Sequence, residues 1–293
     1  MSTDYKSLLV LGGSGLLGSE LLSGNYLKEY RCFSQGRGTD ADVQTDLADI
    51  KLIREFLIRE RPVAIINLLG LTNVDLCEEC PNEAYKVNVR TLQRVLTAAR
   101  SLPYRPRLIH ISTDQVYDGH GPHLEENVTL TNYYAFSKYA ADLVAVAAGA
   151  IVLRTNFFGK SRTAKRTSLT DWLYRELSAG RNIQVFEDVL FSPLSIKSLC
   201  EVIEKAVESS VEGIFNLGAH GGMSKADFAF NFARCLDLPK LSMNRVETNN
   251  VNFLKTYRPK DMRLDVNAIE RAMNIRLPTL TDEIERAAQE YRR

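Results

Sequence analysis

At 293 residues, 45% of them hydrophobic and 25% charged, the chain has the make-up of an ordinary globular protein, with room for one core and a smaller attached lobe. A net charge of +1 gives no broad field to gather nucleic acid or an anionic membrane, and no segment approaches the roughly 20 apolar residues that span a bilayer. A strand begins within a few residues of the N-terminus and leaves no room for a signal peptide, so the expected location is the cytoplasm.

The first half alternates short apolar runs with helical patterns, which predicts a parallel sheet covered on both faces. The first strand is predicted at residues 7–11, and a glycine turn then opens a helix through Leu16-Leu17 and Leu21-Leu22. A short strand follows near 31–34, a helix at 50–60 that stops before Pro62, and a buried strand at 63–69. Next come a long helix at 82–100, a strand at 107–112, a helix at 132–147 and a strand at 151–154. Residues 159–167 are basic and polar (Lys160, Arg162, Lys165, Arg166) and read as an exposed loop. Strands near 183–186 and 213–217 are expected to return to or near the sheet, with a helix at 197–208 between them. Amphipathic helices are expected at 225–236 and 281–291.

The fold class is therefore α/β: a Rossmann-like doubly wound parallel sheet with a smaller C-terminal substrate-binding lobe. Residues 1–155 form the expected cofactor-binding domain and 156–293 mainly the lobe, interleaved with it rather than strung after it. Cys77-Glu78-Glu79-Cys80 has the spacing of a redox pair or half a zinc site, yet no second such pair or paired histidines supply the other ligands. Cys32, Cys77, Cys80, Cys200 and Cys235 read as reduced thiols, His110, His120, His123 and His220 form no ligand cluster, and no metal is assigned.

Gly12, Gly15 and Gly18 give the spacing G-x-x-G-x-x-G directly after a strand and at the opening of a helix. Glycine there permits a tight turn, so backbone N–H groups at the positive helix end can approach a pyrophosphate. Ser14, Leu16 and Leu17 belong to the same turn. A carboxylate at the end of the second strand would hold the ribose hydroxyls of NAD, whereas an arginine accommodates the 2′-phosphate of NADP. The stretch Phe33-Ser34-Gln35-Gly36-Arg37-Gly38 has no carboxylate and one arginine. NADP (NADPH) is the favoured cofactor, with NAD the alternative if Arg37 is only a solvated loop residue.

Tyr134 and Lys138 lie four apart on a predicted helix and share one face. A phenol is a poor acid–base group at neutral pH unless a cation stabilises its phenolate, and Lys138 is placed to do so. Thr113, at the end of the preceding strand, could hold the substrate oxygen through its hydroxyl. Together these residues suggest a proton and a hydride moved at a carbonyl or alcohol.

The chain resembles the extended short-chain dehydrogenase/reductases, and among them it is most similar to the dTDP-4-dehydrorhamnose reductase family. The resemblance rests on Gly12 to Gly18, Thr45-Asp46-Leu47, Asn67 to Asp75, and Tyr85-Lys86-Val87-Asn88-Val89. It continues through Ser112-Thr113-Asp114-Gln115-Val116-Tyr117-Asp118-Gly119, Tyr134-Ala135-Phe136-Ser137-Lys138, Leu153-Arg154-Thr155, Ser192-Pro193 and Arg258-Pro259. It implies a catalytic set of Thr113, Tyr134 and Lys138, adenine-side contacts at Asp46 and Leu47, and a ribose-flanking segment at Leu68, Leu69 and Gly70. Tyr134 would supply the proton, while Lys138 would hold the nicotinamide ribose and lower the tyrosine's pKa.

The implied substrate is a nucleotide-linked keto sugar, with Asp114, Phe157, Phe158 and Arg258 as substrate-side candidates. Arg258 and the basic loop are candidates for a substrate diphosphate, and a solvated loop is the alternative. The chain departs from the family pattern at Leu68-Leu69-Gly70-Leu71-Thr72, at Asn156-Phe157-Phe158 where a tryptophan is expected, and at Pro193-Leu194, all on the substrate side. Some members use magnesium at a dimer contact, which leaves a homodimer open. A sugar epimerase, a reductase of another small carbonyl compound, or a cofactor-binding regulatory subunit like the beta subunit of methionine adenosyltransferase are the competing functions.

Overall fold

The computed structural model describes residues 5–36, 38, 41–44, 47, 49–238 and 243–292. Its centre is a parallel sheet whose described strands are β1 (Lys6–Leu11), β2 (Tyr30–Gly36), β3 (Val43–Gln44), β4 (Ala64–Asn67), β5 (Arg107–Ile111), β6 (Ile151–Thr155) and β7 (Gly213–Leu217). They lie in the order β7-β6-β5-β4-β1-β2-β3, every neighbouring pair parallel. The order reverses between β1 and β4, and at such a switch point the carboxyl ends of the strands open a crevice for ligands.

Alternation along each strand divides the apolar residues between the two faces. Leu8 and Val10 of β1, Ile66 of β4, Ile109 and Ile111 of β5 and Leu153 of β6 belong to one buried cluster, whereas Leu9, Leu11, Ile65, Leu108 and Val152 belong to another. Against the first face lies α1 (Leu16–Ser23); the second is covered by α2 (Ile50–Glu60), α3 (Thr91–Arg100) and α4 (Tyr133–Val146). Local chemistry fixes where these helices begin. The Asp49 side chain accepts from the N–H groups of Lys51 and Leu52 to start α2, and Asn132 accepts from Ala135 N at 2.9 Å to start α4.

The helix expected at 82–100 is broken into Pro81–Tyr85, a π-helical turn Lys86–Arg90, and α3. Of the two strands expected to return, Gly213–Leu217 joins the sheet beside β6, but Ile183–Phe186 does not: it pairs with Met243–Val246. The rest of the C-terminal half comprises short strand pairings and the α-helices Leu169–Ser178, Ile196–Glu208, Lys225–Cys235, Asn267–Met273 and Leu280–Ala288, with short 3-10 turns. The cluster that contains Leu8 and Ile111 also contains Phe158, Phe191, Phe228 and Phe232, so sheet and lobe are welded through one core. Among the described residues, no helix is long and apolar enough to cross a membrane.

Candidate active site

A cleft of about 460 Å³ opens where β1, β4, β5 and β6 end. One wall is the glycine turn. Gly12 adopts φ +81°, and Gly15 N donates to Gly12 O at 3.0 Å. Gly15 caps α1 without a side-chain hydrogen bond, which leaves the first N–H groups of the helix for an anion. A Cβ on Gly18 would stand 2.6 Å from Gly12 O and 2.7 Å from Gly13 Cα, so the turn closes on the helix only because that residue is glycine. The residues present thus fit a dinucleotide: a tight turn, an uncapped helix end and a neighbouring wall. That wall is Leu68, Leu69 and Gly70, held by Leu68 N to Leu11 O at 3.0 Å and Leu69 N to the Asn67 side chain at 3.2 Å. Asn67 in turn meets His110 Nδ1 at 2.9 Å.

Thr113, Tyr134 and Lys138 line the same cleft. Thr113 ends the β5 segment and caps the short turn Asp114–Val116, its hydroxyl accepting from Gln115 N at 3.2 Å. Lys138 is buried and donates from Nζ to Ile111 O at 2.8 Å. Burial lowers its pKa to about 8, against the pull of the Asp142 carboxylate. Burial pushes the Tyr134 phenol well above its ordinary value, with a hydrogen bond from Thr113 opposing. The Lys138 ammonium is bonded to a backbone carbonyl, and the hydrogen bond from Thr113 is the first influence that opposes burial at the phenol. Asp114 is also buried, and its pKa is raised to about 6 by desolvation, with the hydrogen bond from Asn156 first among the opposing influences.

The other sequence candidates divide. Gly12, Gly15, Leu16, Leu17, Gly18, Leu68, Leu69, Gly70, Asp114 and Phe157 line the cleft. Arg37 and Asp46 lie outside the described residues. Ser14 is exposed and is not a wall of the cleft, and Leu47 is buried in the cluster with Ile53, Phe56 and Leu57. Phe158 is core rather than pocket, edge-to-face with Phe228 at 4.7 Å, because adjacent strand residues point to opposite sides. Arg258 is ion-paired with Asp75 at 2.9 Å and lines a separate hollow.

In the basic loop, Lys160 donates to Glu290 O and Arg162 pairs with the buried Glu20 at 2.6 Å, so both are taken up in structure. Arg166 does line the cleft. Thr72 and Asn156, which sequence reasoning named only within stretches that depart from the family pattern, are walls as well, and it missed residues 167–169. The last open the helix Leu169–Ser178, whose start was legible as a capping box, Ser168 with Asp171. All five cysteines are free thiols, and among the described residues no group of His, Cys, Asp and Glu is arranged to hold a metal.

Residues 6–293 match the model of the RmlD substrate binding domain. The dTDP-4-dehydrorhamnose reductase of Mycobacterium tuberculosis is 30% identical over 225 residues, covering 73% of this chain and 69% of that one. The methionine adenosyltransferase 2 subunit beta of Rattus norvegicus is 22% identical, covering 90% and 82%. Among solved structures, the dTDP-4-dehydrorhamnose reductase of Bacillus anthracis in complex with NADP superposes with a TM-score of 0.86 at 23% identity, covering 97% of this chain and 99% of that one.

Proposed function

The chain belongs to the RmlD substrate binding domain family, and from that premise we propose that it is an NADPH-dependent reductase of a nucleotide-activated 4-keto sugar, of the dTDP-4-dehydrorhamnose reductase type. The observation that carries this reading is one cleft that unites Thr113, Tyr134 and Lys138 with the glycine turn. NADPH, when bound, supplies a hydride to the carbonyl carbon. The uncapped start of α1 holds the diphosphate of the dinucleotide, and Leu68, Leu69 and Gly70 flank its ribose. Arg37 is the proposed selector of the 2′-phosphate, and Asp46 the proposed adenine-side contact.

Tyr134 gives its proton to the carbonyl oxygen as that oxygen becomes an alcohol, and the Thr113 hydroxyl orients the same oxygen. Burial keeps the phenol protonated, the form that can donate, until the substrate takes the proton. Lys138 supplies positive charge under the phenolate that forms. Phe157 faces the sugar from the lobe side and Asp114 from the end of β5.

The test is oxidation of NADPH and NADH by the purified protein with a panel of nucleotide-linked 4-keto sugars, beside Tyr134→Phe. The variant should bind NADPH as the parent does and turn over at least about two orders of magnitude more slowly, the usual worth of general acid catalysis. Full activity in it would remove Tyr134 from the mechanism, and a preference for NADH would remove Arg37 from its selecting role. Absence of turnover together with a co-purifying enzyme would favour the regulatory reading that the methionine adenosyltransferase relative supports.

A further inference from the structure

We propose that Asn156 is a positioning residue that presents the Asp114 carboxylate to the substrate, and that the enzyme thereby selects sugars with a hydroxyl on the carbon beside the reduced carbonyl. The proposal rests on the reductase reading above for its substrate, but its central contact is independent of it. Asn156 Nδ2 donates to Asp114 Oδ2 at 2.9 Å, and both residues line the cleft. The other carboxylate oxygen, Oδ1, accepts from the Thr113 hydroxyl at 3.4 Å. One oxygen is thus anchored, while its twin stands beside the group that orients the reacting carbonyl. A ligand hydroxyl one carbon away is the donor such an acceptor suits.

Asn156 is itself fixed. It sits between β6 and the strand Phe157–Phe158; Leu194 N donates to its carbonyl at 3.0 Å, and Leu194 pairs with Phe157. Three of the positions where the sequence leaves its family pattern, Asn156, Phe157 and Leu194, therefore form one unit, with Asn156 and Phe157 lining the cleft.

Asp114 is only 1% exposed, and a carboxylate so buried stays ionised only if donors and cations surround it. Besides Asn156 these are the Thr113 hydroxyl, its own turn's backbone N–H and the positive charge of Lys225 from the helix Lys225–Cys235; the Tyr134 phenol of α4 is the other titratable neighbour. Arg258 bears on Lys225 in turn. Asn156 is the strongest of the influences favouring the ion.

The test uses Asn156→Leu, which keeps the volume and removes the donor, and Asn156→Gln, which restores one. Asp114 is titrated by carboxyl carbon NMR, assigned by difference from Asp114→Asn. The pH dependence of kcat/KM is measured with a nucleotide-linked 4-keto sugar and with its analogue lacking the adjacent hydroxyl. In Asn156→Leu, Asp114 should titrate at higher pH, the acid limb of kcat/KM should move up with it, and KM for the parent sugar should rise roughly tenfold, the worth of one hydrogen bond to a charged group. The deoxy analogue should be little affected, NADPH affinity unchanged, and Asn156→Gln intermediate. Coincident titration curves overturn the coupling, and equal losses on both sugars overturn the selection. Wild-type protein that binds NADPH yet reduces no sugar overturns the reductase reading and the selection with it, while the titration still decides the contact.

Discussion

Burial sets the protonation states that reduction needs. Lys138 has its pKa lowered to about 8, so it is charged at neutral pH and loses that charge just above it. The reduction rate should accordingly fall as pH rises through about 8, and a pH–rate profile flat to pH 10 would separate Lys138 from the chemistry. Asp114 has the opposite shift. Its folded carboxyl holds a proton up to about 6, whereas an unfolded one releases it near about 3.9, so the folded state binds more protons between those values. Its contribution to stability is fully present below the unfolded value and is lost as pH rises through the folded one. Asp114→Asn should therefore melt higher than the wild type at pH 7 and show no such gain at pH 4, which calorimetry at the two pH values would check.

At the scale of elements, the glycine turn is the tightest joint in the cleft. Gly18→Ala would drive its Cβ into the backbone of Gly12 and Gly13, atoms that cannot swing aside as a long side chain can. We expect a loss of about 1–3 kcal/mol in stability and at least a roughly tenfold weaker NADPH affinity, read by denaturant unfolding and by NADPH fluorescence. Unchanged cofactor affinity would mean the turn does not hold the dinucleotide. This joint was legible in the sequence, because strand, turn and helix are local and glycine spacing marks the contact.

The broken helix was not legible. Asn88 sits in the π-helical turn Lys86–Arg90, accepts from Leu71 N at 2.7 Å and donates to Ser137 Oγ at 2.8 Å. A periodic pattern cannot show partners 17 and 49 residues away. The pairing of Ile183–Phe186 with Met243–Val246 was hidden for the same reason: an apolar alternation marks a strand but not its neighbour. Thr113, Tyr134 and Lys138 could be found because each is placed by its own strand or helix. Asn156 stood out only as a departure on the substrate side, since its meaning lies in a contact with Asp114 across the chain.

Across the whole molecule, one buried polar network ties the sheet to the loops beneath the lobe. Arg154 of β6, 1% exposed, donates from Nε to Asp142 of α4 at 2.9 Å and from its terminal nitrogen to Tyr117 Oη and Glu125 O, both at 2.7 Å. The Tyr117 hydroxyl donates in turn to Asn216 Oδ1 of β7 at 2.7 Å, and Asn216 Nδ2 donates to His123 O at 2.8 Å. Asp142 lies on the same face of α4 as Tyr134 and Lys138, two turns and one turn away, so the network also seats the catalytic helix. Such an ion pair is expensive to bury, and removing one partner costs far more than removing both. The survivor is a charge with neither water nor counterion. Arg154→Met alone should destabilise the fold by about 3–5 kcal/mol, whereas Arg154→Met with Asp142→Leu should cost less than either single change. Denaturant unfolding of the four proteins closes the cycle. Additive losses would show that the pair acts as two independent contacts and does not, as a unit, seat the helix bearing Tyr134 and Lys138.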